Sequence, residues 1–221
     1  MSEITLYEAM RTTRAVRRLR SDPIPDAVLR RVLESATFAP SGGNRQAWRI
    51  IVVREPALKH VLAERQRTYW SAYATAGRAA ASALPEAARE RTLKTLAAGD
   101  YLAEHFHELP VIFVVCFDPR GLAITDAKLG RPSVVGGASI YPAVQNLLLA
   151  CRAEGLGSVL TTLLCAAEPE LAPLLGLPEP WGTAAYIPVG YPVGTGHGPL
   201  SRKPVEQMVF GDRFGEPFFD A

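Results

Sequence analysis

A loop of small polar residues between glycines lies at positions 39–48, and its chemistry suits a flat polar ring. Gly42 and Gly43 allow backbone conformations that other residues avoid, and they let the backbone approach a ligand closely. Three side chains in the loop both donate and accept hydrogen bonds: Ser41, Asn44 and Gln46. A heterocycle with donors and acceptors at its edge would fit such a loop. A plain connection between a helix and a strand is the alternative interpretation.

Positively charged side chains are concentrated at positions 11–20, which hold five arginines and no acidic residue. Thr5 and Glu8 have the spacing of a capping box, which predicts a first helix that carries these arginines. On a helix Arg14 and Arg17 would share one face, and two converging guanidinium groups match a phosphate. A solvated basic face or a nucleic-acid contact is the alternative.

Three aromatic residues, Tyr69, Trp70 and Tyr73, cluster in a long alanine-rich segment at positions 56–104, which we predict to be helical with a break at Pro85. Tyr69 and Tyr73 are four residues apart and would lie on one helical face, with Trp70 beside them. Rings at this spacing are most often part of the core. The alternative is a mobile cover over a flat ligand, which would make the three residues substrate-binding.

The elements around these residues predict a sheet with helices packed on it. The segment 48–53, which contains the apolar run 50–53, and the apolar run 111–117 predict strands buried on both faces. A helix at 137–154 is apolar on nearly every side, and such a helix must be buried all round. That requirement, together with an aromatic C-terminal arm at about 199–221, predicts packing against a second subunit.

Length and composition predict a single globular domain of 221 residues, with 48% hydrophobic and 21% charged residues. The net charge of +2 indicates no strongly acidic or basic partner. Three widely spaced cysteines form neither a metal-binding spacing nor a disulfide framework, which indicates a reducing cytoplasm and no bound metal. The first residues lack the regions of a signal peptide, and no apolar run predicts a membrane span.

A phosphate held at one end and a polar ring at the other describe a flavin mononucleotide (FMN). Arg202 supplies a second basic position late in the chain, with Lys203 beside it. No glycine-rich dinucleotide fingerprint follows a strand, and the sequence contains no Walker loop. No serine, histidine and aspartate set has the sequence context of a nucleophilic triad. The residues therefore favour FMN over dinucleotide or triphosphate binding.

In these motifs the sequence resembles the FMN-dependent nitroreductase superfamily, and the resemblance extends over nearly the whole chain. The matching segments are positions 14–19, 39–48, 145–150, 155–157 and 187–192. The resemblance implies an α+β fold with a mixed sheet flanked by helices, assembled as an intertwined homodimer. Two FMN sites would lie at the dimer interface, and the C-terminal arm would pack on the partner subunit.

The resemblance also implies which residues contact FMN. Arg14 and Arg17 would hold the phosphate, joined by Arg202. The other contacts that it implies are Pro40, Ser41, Gly42, Asn44, Gln46, Leu160, Thr161 and Thr162. Many members carry a serine where this chain has Ala15, so a backbone contact is all that this position offers. The missing hydroxyl would weaken FMN binding without preventing it.

The activity that the resemblance implies is a ping-pong reaction, in which NAD(P)H reduces the flavin and a nitroaromatic, quinone or similar conjugated acceptor then oxidises it. The flavin performs the chemistry, so no side chain is predicted to be catalytic. The alternative is other flavin chemistry of the superfamily, either a flavin-fragmenting synthase or a reductive dehalogenase. A nucleic-acid-binding module is a third and poorly supported interpretation, because no groove-reading motif accompanies the basic segment.

Overall fold

The computed structural model describes residues 4–219, which form a sheet with helices on both faces. Within that range the helices are Leu6–Thr12 (α1), Asp26–Thr37 (α2), Pro56–Ala81 (α3), Glu86–Glu104 (α4), Tyr141–Ala153 (α5) and Glu168–Leu174 (α6). The strands are Trp48–Val53 (β1), Val111–Phe117 (β2), Gly157–Ser158 (β3) and Gly182–Gly190 (β4). The predicted α+β class is confirmed.

The strand order is β1-β2-β4-β3, and each pairing between the described strands is antiparallel. Ile50 lies opposite Val115 in the first pair of strands, and Phe113 lies opposite Ile187 in the second. The resemblance implied a mixed sheet, whereas the sheet of the described residues contains no parallel pair.

Successive side chains of β2 point to opposite faces of the sheet and build two separate cores. On one face Phe113 and Val115 pack with residues of α2 and α5. On the other face Ile112 and Val114 pack with residues of α3, α4 and α6. Because helices cover both faces, β4 is buried along its whole length and β2 up to its last residue. This burial agrees with their apolar sequences.

Burial of β1 on both faces is a prediction that the structure contradicts. Trp48 and Val53, at the two ends of the strand, are buried, but Arg49 is exposed and Val52 keeps 36% of its surface accessible. β1 forms one edge of the sheet. An apolar run of this length does not distinguish an edge strand from a central one, because pairing sets that position.

The first helix is shorter than predicted. Thr5 does cap it, since its hydroxyl accepts a hydrogen bond from the Glu8 N–H at 3.2 Å. The helix ends at Thr12, whose hydroxyl donates to a carbonyl one turn earlier, and the chain then becomes extended. Arg14 and Arg17 therefore do not share a helical face, and that prediction is wrong.

Backbone pairing holds the extended segment after α1 in place. The Val16 N–H donates to the Ser158 carbonyl at 3.0 Å. Further along, the Arg20 N–H donates to the Tyr191 carbonyl at 2.8 Å. These bonds lay the arginine-rich segment between the end of β3 and the chain that leaves β4.

The apolar helix of the sequence is α5, which starts at Tyr141 and not at the glycine pair before it. Val144 and Leu147 are buried in the core that α5 shares with α2, whereas Leu148 is half-buried. Burial on all sides is thus not reached within this chain. The C-terminal arm is exposed too, with 94% of the Phe214 surface accessible.

Helices α3 and α4 form a hairpin, separated at Pro85 as predicted. Gly99 lets the two helices approach closely, because a Cβ atom there would lie 2.0 Å from the Trp70 ring. The Trp70 indole N–H donates to the Asp100 carboxylate at 2.8 Å, and Arg78 binds the same carboxylate. The Trp70 indole therefore sets the distance between α3 and α4 at this point.

All three cysteines are free. Burial raises the pKa of the Cys116 thiol to about 12, so this thiol stays protonated at neutral pH. Residues 4–219 hold no group of three or more His, Cys, Asp and Glu side chains placed to bind a metal. Over the same range no helix combines the length and the apolar character needed to cross a membrane.

Candidate functional site

A cavity of about 670 Å³ lies between the α3–α4 hairpin and the chain that follows β3. Cofactor and small-molecule sites have volumes of this order. Its lining consists of Arg17, Trp70, Tyr73, Gly77, Ala88, Arg91, Thr92, Thr95, Leu96, Leu160, Thr161, Thr162 and Leu163. The cavity brings together residues from three groups identified in the sequence: Arg17, two of the three aromatic residues (Trp70 and Tyr73), and residues 160–162. We call it the covered cavity.

A strongly basic cavity of about 480 Å³ adjoins the covered cavity, and the two share Arg17, Arg91 and Thr95. Its lining contains five cations and no acidic residue; the cations are Arg14, Arg17, Arg18, Arg91 and Lys94. Ala15 lines it as well, and its methyl group offers no hydrogen bond there. Although no helix carries them, Arg14 and Arg17 do reach one basic cavity.

Arg17 lies at the junction of the two cavities and is partly buried. Burial lowers the pKa of its guanidinium, Tyr73 opposes that shift, and Arg14 adds to it. The group stays protonated at neutral pH, because the ordinary pKa of arginine is about 12 or higher. A partly desolvated cation attracts an anion more strongly than an exposed one does. Arg17 is therefore suited to bind a phosphate.

The three aromatic residues of α3 divide into two environments. Tyr73 is 58% exposed and lines the covered cavity beside Trp70, with the two ring centroids 5.4 Å apart. Tyr69 is half-buried against the core, and its hydroxyl donates to the Ala166 carbonyl at 3.3 Å. Tyr69 therefore lies outside the group of rings that line the cavity.

Residues 160–162 form one wall of the covered cavity. Thr161 and Tyr186 exchange two backbone hydrogen bonds of 2.9 Å, which continue the pairing of β3 with β4 past a short gap. Residues 158–162 are therefore paired as a strand only in part. This pairing anchors the wall to the central sheet.

The glycine-rich loop is an ordered turn that its own side chains close. Gly43, Asn44 and Gln46 have positive φ angles of 59°, 52° and 48°. The Ser41 hydroxyl accepts a hydrogen bond from the Gln46 N–H at 2.9 Å. The Gln46 amide group donates to the Asn44 side-chain oxygen at 2.8 Å. Side chains predicted to contact a ligand thus also hold the turn in its left-handed conformation.

The loop lies apart from the basic cavity. Gly42 lines a different cavity of about 320 Å³, and its N–H donates to the Ser139 hydroxyl at 3.0 Å. The linings of this cavity and of the two cavities above have no residue in common. The sequence predicted that Pro40 and the residues after it face the same ligand as Arg14. Within one described chain, the structure does not bring these two groups together.

Arg202 is exposed and does not line the covered or the basic cavity. Its guanidinium donates to the Ser201 carbonyl at 2.9 Å. The backbone before it passes α1, where the Leu200 N–H donates to the Arg11 carbonyl at 3.3 Å. The arm thus starts near the basic segment, but the Arg202 side chain does not join the other two arginines.

Helix α4 supplies functional candidates that the sequence reasoning missed. Arg91, Lys94 and Thr95 line the basic cavity together with the segment after α1. Their spacing on a helix is a signal for a shared face. The sequence does not show that this face turns towards Arg14, because that depends on how the hairpin packs.

Asp126 fixes the loop between β2 and α5. Other residues of this loop line the cavity at Gly42. Its carboxylate accepts hydrogen bonds from the Ser133 hydroxyl at 2.6 Å and from the Val134 N–H at 3.0 Å. Arg131 pairs with it at 2.9 Å. These groups, with the Ser133 hydroxyl first, hold the pKa of Asp126 down to about 2.

The carboxylate of Asp126 is expected to stabilise the fold at neutral pH and to lose this effect in acid. Because its folded pKa is depressed, the contribution is complete above the unfolded value of about 4 and disappears as the pH falls towards about 2. Asp126→Asn should therefore lower Tm at pH 7 and flatten the change of Tm between pH 4 and 2.

Thermal melts over this pH range measure the effect. Asp22→Asn is the matched control, because Asp22 is an exposed carboxylate that pairs with Arg20 at 3.3 Å on the surface. Equal melting curves for Asp126→Asn and the unmodified protein at every pH would show that the buried carboxylate contributes nothing.

The sequence of this chain is similar to those of known proteins. Residues 10–191 match the family model described as the nitroreductase family. An NADH dehydrogenase of Thermus thermophilus is 34% identical over 204 residues, which cover 89% of this chain and 90% of the relative. A 5,6-dimethylbenzimidazole synthase of Rhodobacter capsulatus is 36% identical over 197 residues, which cover 88% and 87%.

The fold is shared with solved structures. The crystal structure of an iodotyrosine deiodinase bound to FMN and 3-iodo-L-tyrosine aligns with a TM-score of 0.64 and 24% identity. The alignment covers 90% of this chain and 94% of that one. At this identity the likeness establishes the fold alone.

Proposed function

This chain belongs to the nitroreductase family, and we propose that it is an FMN-dependent oxidoreductase that passes hydride from NAD(P)H to a nitroaromatic, quinone or similar conjugated acceptor. One observation carries the proposal: a basic cavity adjoins a cavity lined by the aromatic rings of Trp70 and Tyr73, and Arg17 lines both. A ligand whose phosphate binds in the basic cavity would therefore place its flat ring in the covered cavity.

The residues present fit FMN. A phosphate monoester carries about two negative charges at neutral pH, and the basic cavity presents cations with no competing carboxylate in its lining. The lining of the covered cavity includes the polar residues Thr161 and Thr162 as well as the rings of Trp70 and Tyr73. A lining that combines polar groups with aromatic surface suits a flat heterocycle with hydrogen-bonding edges.

The chain binds and orients, and FMN when bound supplies the hydride chemistry. Arg14 and Arg17 would hold the phosphate, and the residues around Thr161 would contact the ring. Trp70 and Tyr73, which line the same cavity, would exclude water and stack on a conjugated substrate. In this proposal no side chain transfers a proton.

We propose that the glycine-rich loop binds FMN across a subunit interface. Within one chain it lies at a different cavity from the basic site. In a homodimer the loop of one subunit would complete the FMN site of the other, so that Ser41, Asn44 and Gln46 reach the ring edge. Exposed apolar surface on the arm, and the half-buried side of α5, supply the area for such an interface.

Sedimentation velocity is expected to show a dimer at micromolar concentration. Phe214→Ser removes the most exposed ring of the arm and should weaken dimerisation by about tenfold or more, because interface rings bury large apolar areas. Leu174→Ser is the control, since Leu174 is also exposed but lies on α6, away from the arm. A stable, FMN-loaded monomer would contradict the proposal.

Anaerobic titration tests the activity. The purified protein should show the absorbance of oxidised flavin, lose it on addition of NADH or NADPH, and regain it when a nitroaromatic or a quinone is added. A protein without bound flavin that also fails to bind added FMN would rule the proposal out.

Flavin fragmentation is the second candidate, and its support is the 36% identity to the 5,6-dimethylbenzimidazole synthase. The same titration separates the two activities when it is continued in air. An oxidoreductase regains its full flavin absorbance, whereas a fragmenting enzyme loses it irreversibly and releases a benzimidazole.

A further inference from the structure

Two cations of helix α4, Arg91 and Lys94, are not required by the proposed FMN site. They lie three residues apart on one helical face, and both line the basic cavity. Arg91 also lines the covered cavity. Ion pairs found among residues 4–219 include neither of them. Their charges are therefore free to meet a ligand.

The number of cations exceeds what one phosphate monoester requires. Arg14 and Arg17 already match its charge of about minus two. Arg18 is engaged elsewhere, since its guanidinium stacks over the Tyr101 ring at 4.4 Å. Arg91 and Lys94 thus add positive charge for a second anionic group, which enters beside the cofactor.

We propose that Arg91 and Lys94 bind the pyrophosphate of the reduced nicotinamide dinucleotide. This inference rests on the proposed function, because it concerns the hydride donor of that reaction. Arg91 lies where the covered cavity meets the basic one, so a nicotinamide ring under Trp70 and Tyr73 directs its phosphates towards α4. NADH and NADPH carry the same pyrophosphate, so the site serves both.

The exposure of the two side chains fits a substrate that binds and leaves. Arg91 and Lys94 are both exposed, as is Arg14, whereas Arg17 is partly buried. Ion pairs at exposed positions are weak and are screened by salt. A ping-pong reaction needs this property, because the oxidised dinucleotide must leave before the acceptor enters the same place.

Stopped-flow reduction of the FMN-loaded protein tests the inference. In the Arg91→Gln/Lys94→Gln variant the apparent Kd for NADH and for NADPH should rise by about tenfold at low ionic strength. The effect should shrink as salt is added. Reduction by 1-benzyl-1,4-dihydronicotinamide, a donor without phosphates, should keep the unmodified rate.

The control variant Arg67→Gln/Arg89→Gln removes the same charge from the same hairpin at positions that line neither cavity. It should leave the Kd for NADH unchanged. An unchanged Kd in the α4 variant would overturn the inference, as would an equal loss with the neutral donor. A loss confined to NADPH would assign the cations to its 2′-phosphate instead and would also overturn it.

Two further measurements exclude other anions. The Kd of FMN should stay the same in the α4 variant; a parallel rise would assign Arg91 and Lys94 to the cofactor phosphate and overturn the inference. Oxidation of the reduced protein by 4-nitrobenzoate and by 4-nitrobenzamide should be equally unaffected, since a loss confined to the acid would assign them to the acceptor. Failure of the proposed function is recognised separately, because the unmodified protein would then not be reduced even by the neutral donor.

Discussion

Replacing Arg14 and Arg17 together with glutamine is expected to raise the Kd of FMN by about 100-fold or more, so that the variant purifies without colour. Both side chains line the basic cavity, and Arg17 is partly desolvated there. A hydrogen bond to a charged group contributes about 1.5–3 kcal/mol, so two lost contacts amount to at least about 3 kcal/mol, which is roughly 100-fold in affinity. Fluorescence titration of the apoprotein with FMN measures the change.

Two further variants frame this result. Arg20→Gln removes a cation from the same segment, but Arg20 pairs with Asp22 at 3.3 Å and does not line the cavity, so FMN affinity should hold. Ala15→Ser adds a hydroxyl inside the cavity and should tighten FMN binding by about tenfold. Equal FMN affinity in the double variant and the unmodified protein would refute the phosphate site.

Tyr73→Ala and Tyr69→Ala are expected to differ sharply. Tyr73 is exposed at the covered cavity, so its loss should change kcat/KM for aromatic acceptors by up to about tenfold with little effect on Tm. Tyr69 is half-buried, and its hydroxyl bonds to Ala166, so its loss should cost about 2 kcal/mol of stability. Acceptor profiles and urea denaturation of both variants provide the comparison.

Either of two results would contradict this division of roles. A large loss of stability in Tyr73→Ala with an unaltered acceptor profile would make Tyr73 a core residue. A changed acceptor profile in Tyr69→Ala at full stability would place Tyr69 in the cover. Tyr69→Phe isolates the hydroxyl, and its stability should lie between that of Tyr69→Ala and the unmodified protein.

Local signals in the sequence predicted local structure well. The spacing of Thr5 and Glu8 marks the start of α1, Pro85 separates the hairpin helices, and the apolar run at 111–117 forms the buried strand β2. In each case a few neighbouring residues determine the outcome. The end of α1 was predicted wrongly because the pairing of Val16 with Ser158 is a contact between distant parts of the chain.

The candidate site was predicted in pieces, and its assembly was not. Arg17, Trp70 and Thr161 were identified separately, and the structure places them around one cavity. Arg91 and Lys94 of α4 were not predicted, because only the packing of the hairpin places them beside Arg14 and Arg17. The separation between the glycine-rich loop and that segment could not be predicted either, because a single sequence does not show which distant residues are in contact.

The contact between Gly99 and Trp70 has a consequence for how relatives of this protein diverge. Any side chain at position 99 would overlap the indole, so the two positions cannot change independently. The same indole bonds to Asp100 and lines the covered cavity. Across homologues, positions 70 and 99 are therefore expected to covary, with a larger residue at one accompanied by a smaller residue at the other. Paired substitutions at these two positions would change the shape of the covered cavity and leave the sheet unchanged.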